Sequence, residues 1–134
     1  MKYVADISCK SCTSELQKIR HAVKEACIDF NFDLAKTNRV VLAIDEACAN
    51  VIRHSCDFSE SFKLSIIVTQ KNGYGIFLVV DNCSRLSPDA LQPCQEDVLK
   101  PGGLGLQLIY QVMDSVTLLD HPGQGNRLEL KIKL

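Results

Sequence analysis

Two periods of hydrophobic spacing divide the chain. Residues 3–8 (YVADIS) read as a short strand. Apolar positions then recur at helical spacing, with Leu16, Ile19, Val23 and Ala26 forming one stripe of a helix that ends near Cys27. Ser11 or Thr13 is placed to cap its start. Asp33 is the next N-cap candidate, and from it to about His54 the stripe continues through Val40, Ala43, Ile44, Ala47, Val51 and Ile52. The period then falls to two. SFKLSIIVT places Phe62, Leu64, Ile66 and Val68 on one face, and KNGYG holds the Asn-Gly pair of a tight hairpin. GIFLVVD returns with apolar residues on both faces, as a central strand does.

After Asp81 the texture changes. Residues 82–102 carry Asn82, Ser84, Pro88, Pro93 and Pro101 and read as a long loop with one short helical turn. Loops of that length are uncommon in compact domains unless they cover a site or bind something. Residues 104–114 (LGLQLIYQVMD) are helical, SVTLLD is a strand and HPGQGN a turn. RLELKIKL alternates strictly, with Leu128, Leu130, Ile132 and Leu134 inward. The order βααββαββ predicts an α/β two-layer sandwich, a mixed and mostly antiparallel sheet covered on one face by helices.

At 134 residues the chain is expected to form one domain over 1–134, large enough to bury roughly two-thirds of its unfolded surface. Apolar residues make up 46% and the formal net charge is -1, with no basic block. Direct nucleic-acid binding and attraction to an anionic membrane therefore have no support. The start, MKYVADISCKSC, lacks the basic head and apolar run of a signal peptide, and no apolar stretch approaches membrane-span length. The expectation is a cytoplasmic protein.

Seven cysteines, an odd number, argue against a secreted disulfide framework. Cys27, Cys48 and Cys56 fall in or near helical patterns, where cysteine behaves as a small apolar residue. Cys9 and Cys12 form a CxxC, but a structural zinc site needs a second ligand pair that the chain does not supply. Redox chemistry and incidental thiols stay open for that pair.

Four features carry candidate chemistry. Glu46 and Asn50 stand one turn apart on the second long helix, Asp81 ends a central strand, the long loop follows, and KPGGLGL opens the next helix. A glycine-rich turn at a helix start is an anion site, because free backbone N–H groups and the helix dipole face one point. Each feature alone has an ordinary explanation: a solvated helix face, a strand-end turn former, loop glycines. Their order and spacing together are more specific.

In that order they resemble the ATP-binding fold shared by gyrase, Hsp90-type chaperones, histidine kinases and MutL (the GHKL or Bergerat fold). Within it the chain resembles the free-standing anti-sigma-factor serine kinases of bacteria. AIDEACANVIRHS is similar to that family's N-box, LVVDNCSRLSP to its first glycine box and following loop, PGGLGLQLIYQVMDSV to its second glycine box with helix, and GQGNRLELKIKL to its terminal strand. The resemblance implies ATP and Mg²⁺ as cofactors. Asn50 would hold the metal and Glu46 would act as base toward a serine hydroxyl. Asp81 would accept from the adenine amino group, beside Cys83. Gly102, Gly103, Leu104, Gly105 and Leu106 would line the phosphates, with Lys100 a further contact. The segment from about Ser84 to Gly102 would be a lid, and Arg53 and His54 supporting residues.

The implied activity is that of an ATP-dependent protein serine/threonine kinase acting on a STAS-domain anti-sigma antagonist. A sigma factor and a second copy of the chain are further implied partners. Sensor histidine kinases carry their phospho-accepting histidine in a dimerising helical segment, and His21, His54 and His121 do not sit in one. Gyrase-like and MutL-like proteins carry a following transducer domain. Cys83 and Arg85 stand where the general pattern Asp-x-Gly-x-Gly has glycines. Were φ positive at 83, a cysteine there would be strained by about 1–2 kcal/mol. Cys83→Gly would then tighten nucleotide binding and leave stability nearly unchanged. The alternative reading is a non-catalytic binding switch that keeps the fold and binds nucleotide poorly.

Overall fold

The structure is a computed structural model describing residues 1–57, 59–84, 103–120 and 122–134, with no side-chain description for 103–105. The elements are β1 (Lys2–Lys10), a 3₁₀ turn (Thr13–Glu15), α1 (Leu16–Asp29), α2 (Leu34–His54), β2 (Lys63–Lys71), β3 (Tyr74–Asp81), α3 (Gly103–Val112), β4 (Ser115–Leu118) and β5 (Asn126–Lys133). They follow the expected order. The five strands form one sheet in the order β1-β2-β3-β5-β4, with β3 central. Every pairing is antiparallel, so the sheet is not mixed.

Local chemistry fixes the two long helices. Asp33 caps α2 by accepting from Lys36 N–H at 2.8 Å. Asp33→Ala should cost about 1 kcal/mol, read as a Tm lower by about 3–6 °C; an unchanged Tm would mean that the cap contributes nothing. Upstream, α1 ends in a left-handed residue, Asn31 (φ 66). Asn31 N–H donates to Ile28 O and Phe32 N–H to Cys27 O, the two bonds of a Schellman closure. Neither Ser11 nor Thr13 caps α1, whose N-cap is Glu15 with no side-chain bond. The Ser11 hydroxyl instead donates to Ser59 O, and its backbone N–H donates to Phe62 O at 2.9 Å, tying the end of β1 to the approach to β2. A distant pair of backbone partners takes the hydroxyl that a local cap would have used.

The β2–β3 hairpin turns on Asn72 and Gly73, both at positive φ, as the Asn-Gly pair requires. Gly75 sits against Phe30: a Cβ there would lie 2.8 Å from the ring, so this glycine lets the aromatic cluster of Phe30, Phe32 and Phe77 close over β3.

The core lies between the sheet and the helices. Ile19, Val23, Val40, Ile44, Val51 and Ile52 meet Leu64, Ile66, Val68, Phe77, Val79 and Leu130, all buried. On β3 only Gly75, Phe77, Val79 and Asp81 are fully buried, while Ile76, Leu78 and Val80 are half-exposed on the other face. Helices therefore cover one face of the sheet. Leu134 lies beyond β5 and is exposed, rather than continuing the inward row; its N–H donates to Gly73 O at the hairpin. Phe62 precedes β2 and is half-buried. No helix among the described residues is long and apolar enough to cross a membrane.

Candidate functional site

The C-terminal end of α2 and the C-terminal end of β3 meet, and the polar residues collect there. Asp81 is 5% exposed and faces the helices. Its Oδ1 accepts from Cys83 N–H at 2.8 Å, and Asn126 Nδ2 lies 3.1 and 3.2 Å from its two oxygens. The same Nδ2 reaches Ser55 Oγ and Ser84 O, each at 2.8 Å, and the Ser55 hydroxyl donates to Ser84 O. Burial pushes the Asp81 carboxyl up, while the Cys83 N–H, the Asn126 amide and backbone, and Ser55 pull it back. The result is a fixed acceptor at the buried end of the central strand. One amide shared among four oxygens leaves Oδ2 with acceptor capacity for a ligand donor.

Ser55, Asn126 and Gly125 complete this end of the site, and sequence reasoning missed all three. Asn126 is the cross-strand partner of Asp81. The inward row Leu128, Leu130, Ile132 extends back by two to 126, and that alternation was the available signal. Gly125 (φ +93) packs on the Asp81–Asn82 backbone, where an added Cβ would overlap Asp81 O and lie 3.0 Å from Asn82 Cα.

Cys83 is not strained. Its φ is outside the left-handed region. Its side chain turns inward and forms a disulfide with Cys56, Cα–Cα 4.9 Å, across 27 residues of sequence. Cys56 is therefore not simply a small apolar filler. With no strain to relieve, Cys83→Gly would remove a crosslink and a buried side chain. It should destabilise the domain by about 2–4 kcal/mol rather than leave it unchanged. Among the described residues Cys9, Cys12, Cys27 and Cys48 are free. Cys27 and Cys48 are fully buried as expected, and burial pushes the Cys27 thiol up to about 12 and Cys48 higher still. Both are chemically quiet. In the CxxC, Cys9 is buried and Cys12 contacts Ser14 Oγ at 2.9 Å and Glu60 at 3.2 Å.

On α2, Glu46 and Asn50 lie one turn apart. Glu46 is half-buried with no ion pair among the described residues. Asn50 is 7% exposed, so its side chain is more enclosed than a cleft-lining residue needs to be. Arg53 donates to its Oδ1, and its Nδ2 is buried with no partner among the described residues. Buried amides are almost always satisfied, so this amide has the character of a ligand-binding group. The orphaned Nδ2 is a donor and calls for an acceptor, while Oδ1, the one atom of this amide that could ligate a hard cation, would do so only with the Arg53 guanidinium moved off it.

α3 packs against α2 and starts at Gly103, one residue before the expected start, and it ends at Val112 rather than 114. Asp114 instead leaves the helix and accepts from Lys133 N–H at 2.6 Å. Gly103, Leu104, Gly105 and Leu106 thus form the first four helical positions, whose N–H groups have no acceptor within the helix. Lys100, Gly102 and most of the expected lid (85–102) lie outside the described residues.

The model of the histidine kinase-like ATPase domain family matches residues 10–132. Among solved structures the chain is similar to the histidine kinase domain of the Erythrobacter litoralis EL346 blue-light activated histidine kinase (TM-score 0.54, 18% identity, 74% of this chain and 45% of that one). It is also similar to the Acinetobacter baumannii histidine kinase AdeS (TM-score 0.51, 15% identity, 97% and 68%). The chain thus spans less than half of the Erythrobacter kinase domain, and at these identities the likeness is one of fold. A search of the curated proteins gives no match. With its antiparallel sheet, single helical layer and family match over nearly its whole length, the chain belongs to the histidine kinase-like ATPase domain family.

Proposed function

We propose that the domain binds ATP with Mg²⁺ and transfers the terminal phosphate to a serine of a STAS-domain partner in bacterial regulatory partner switching, as a cytoplasmic anti-sigma-type serine kinase. The observation that carries the reading is the convergence of the α2 end, with Asn50 one turn from the half-buried Glu46, on the buried and held Asp81 at the end of β3. Asp81 would accept from the adenine amino group, held for it by Cys83 N–H and Asn126. The first-turn N–H groups of α3 would take phosphate oxygens. Asn50 would hold Mg²⁺, which when bound neutralises phosphate charge. Glu46 would take the serine proton.

Calorimetric titration with Mg·ATP tests the reading. Wild type should bind, and Asn50→Ala should lose the Mg²⁺-dependent part of the affinity. Nδ2 makes no bond to lose and the Arg53 bond to Oδ1 is worth about 1 kcal/mol, so the variant should keep most of the wild-type stability. Unchanged Mg·ATP affinity in the variant would remove Asn50 from the site. A non-catalytic binding switch is favoured by one observation, the replacement of both glycines of the first glycine box by Cys83 and Arg85. Absence of ATP binding in wild type, with or without Mg²⁺, would decide for it.

A further inference from the structure

The Cys56–Cys83 disulfide lies where the proposed nucleotide site is held together. Cys56 follows Ser55, which shares the Asn126 amide with Asp81, and Cys83 supplies the N–H that fixes Asp81 Oδ1. The crosslink therefore joins the end of the helix carrying Glu46 and Asn50 to the end of the strand carrying Asp81. Beyond it Ser84, where the long loop begins, is held by polar bonds to Ser55 and Asn126 among the described residues. The other four described cysteines are free, including the closely spaced Cys9 and Cys12. One crosslink among so many thiols is not a disulfide framework. Outside oxidising compartments, such single bonds are characteristically transient and redox-sensing.

We propose that Cys56 and Cys83 form a reversible oxidation site that sets nucleotide affinity, the oxidised form binding ATP more tightly. The proposal rests on the nucleotide-binding reading. Reduction consumes two thiols of a dithiol oxidoreductase or a glutathione-class thiol. One thiolate attacks a sulfur of the pair and forms a mixed disulfide, and the second thiol resolves it. The Cys56–Cys83 bond breaks, both cysteines gain protons, and the two electrons come from the reductant, which leaves as its own disulfide; exchange with a disulfide of the same class runs the step backwards, taking up the two electrons and protons as thiols. Non-bonded sulfurs then stand farther apart than bonded ones, so residue 83 loses its anchor at Cys56, two residues beyond the end of α2. The Cys83 N–H is no longer fixed on Asp81, and the acceptor must be ordered anew each time a base binds. Because both sulfurs are buried, exchange requires the segment at 83–84 to open, so each form persists.

The test compares Mg·ATP affinity of oxidised wild type, phosphine-reduced wild type and Cys56→Ala. The oxidised form should bind about tenfold more tightly than the other two. By linkage, saturating Mg·ATP should make the disulfide harder to reduce, moving its midpoint by about 30 mV for a tenfold ratio. Reduced wild type covers the case in which Cys56→Ala fails to fold. Equal affinity in both redox forms, or tighter binding when reduced, overturns the proposal and leaves the nucleotide reading standing. No binding by either form overturns both. The sulfurs of Cys56 and Cys83 and the Asp81 carboxylate lie within 4.8 Å of one another. Tight Zn²⁺ capture by the reduced protein, lost in Cys56→Ala, would assign the pair to metal and overturn the proposal as well.

Discussion

Glu46→Gln should leave Mg·ATP affinity unchanged and lower phosphate transfer to a serine acceptor by about 10²–10⁴, the usual worth of a general base. Glutamine keeps the size of the side chain and its hydrogen bonding but cannot take a proton. Glu46 is half-buried on α2 and forms no ion pair among the described residues, so the substitution breaks no pairing there. In the proposed site, binding would rest on Asp81, Asn50 and the start of α3, none of which the change touches. Separate titration and single-turnover transfer measurements distinguish the outcomes. Equal loss of binding and transfer would make Glu46 a structural residue or metal contact, and normal transfer would make it a surface residue.

Gly125→Ala should be far more damaging than its size suggests. Two penalties add at this position. The backbone is left-handed (φ +93), costing an alanine about 1–2 kcal/mol. The new methyl group would also overlap the Asp81 carbonyl oxygen, and relieving that overlap displaces backbone rather than a flexible side chain, at about 1–3 kcal/mol. A loss near 3 kcal/mol should lower Tm by about 10 °C or more. The displaced backbone is that of Asp81, so nucleotide affinity should fall with stability. Gly123→Ala is the internal comparison. It has the same backbone sign (φ +92) but nothing within 4 Å of the added carbon, so it should show only the conformational part. Equal effects at 123 and 125 would show that the contact on Asp81 is immaterial.

What could be read in advance was what short-range physics decides. Asp33 caps α2 because an aspartate before an apolar stripe has a free N–H three residues on. Asn72-Gly73 makes the hairpin because both residues tolerate positive φ. Asp81 stood out because it interrupts an apolar strand at its end. Its surroundings were hidden because they come from far along the chain: Ser55 from a helix end and Asn126 from a strand that had first to be paired with β3. Residue 126 belongs to the inward row of β5, but a turn-rich run just before it, HPGQG, masked where the strand begins. The Cys56–Cys83 bond was hidden for the same reason, since nothing local distinguishes a filler cysteine from one facing a partner 27 residues away.

β5 follows the other four strands of the sheet in the chain, yet it lies inside the sheet, between β3 and β4. During synthesis the chain therefore carries β3 as an open edge until β5 arrives, with Phe77 and Val79 on one side and unpaired backbone groups along its length. Asp81 is then already in place without the Asn126 amide that holds it. A ribosome-bound intermediate of this domain would have an unfinished sheet with an open apolar edge, and Asp81 without its cross-strand partner. Pauses in translation within residues 119–133 would extend that vulnerable interval, making this stretch the place where slowed synthesis favours aggregation over folding.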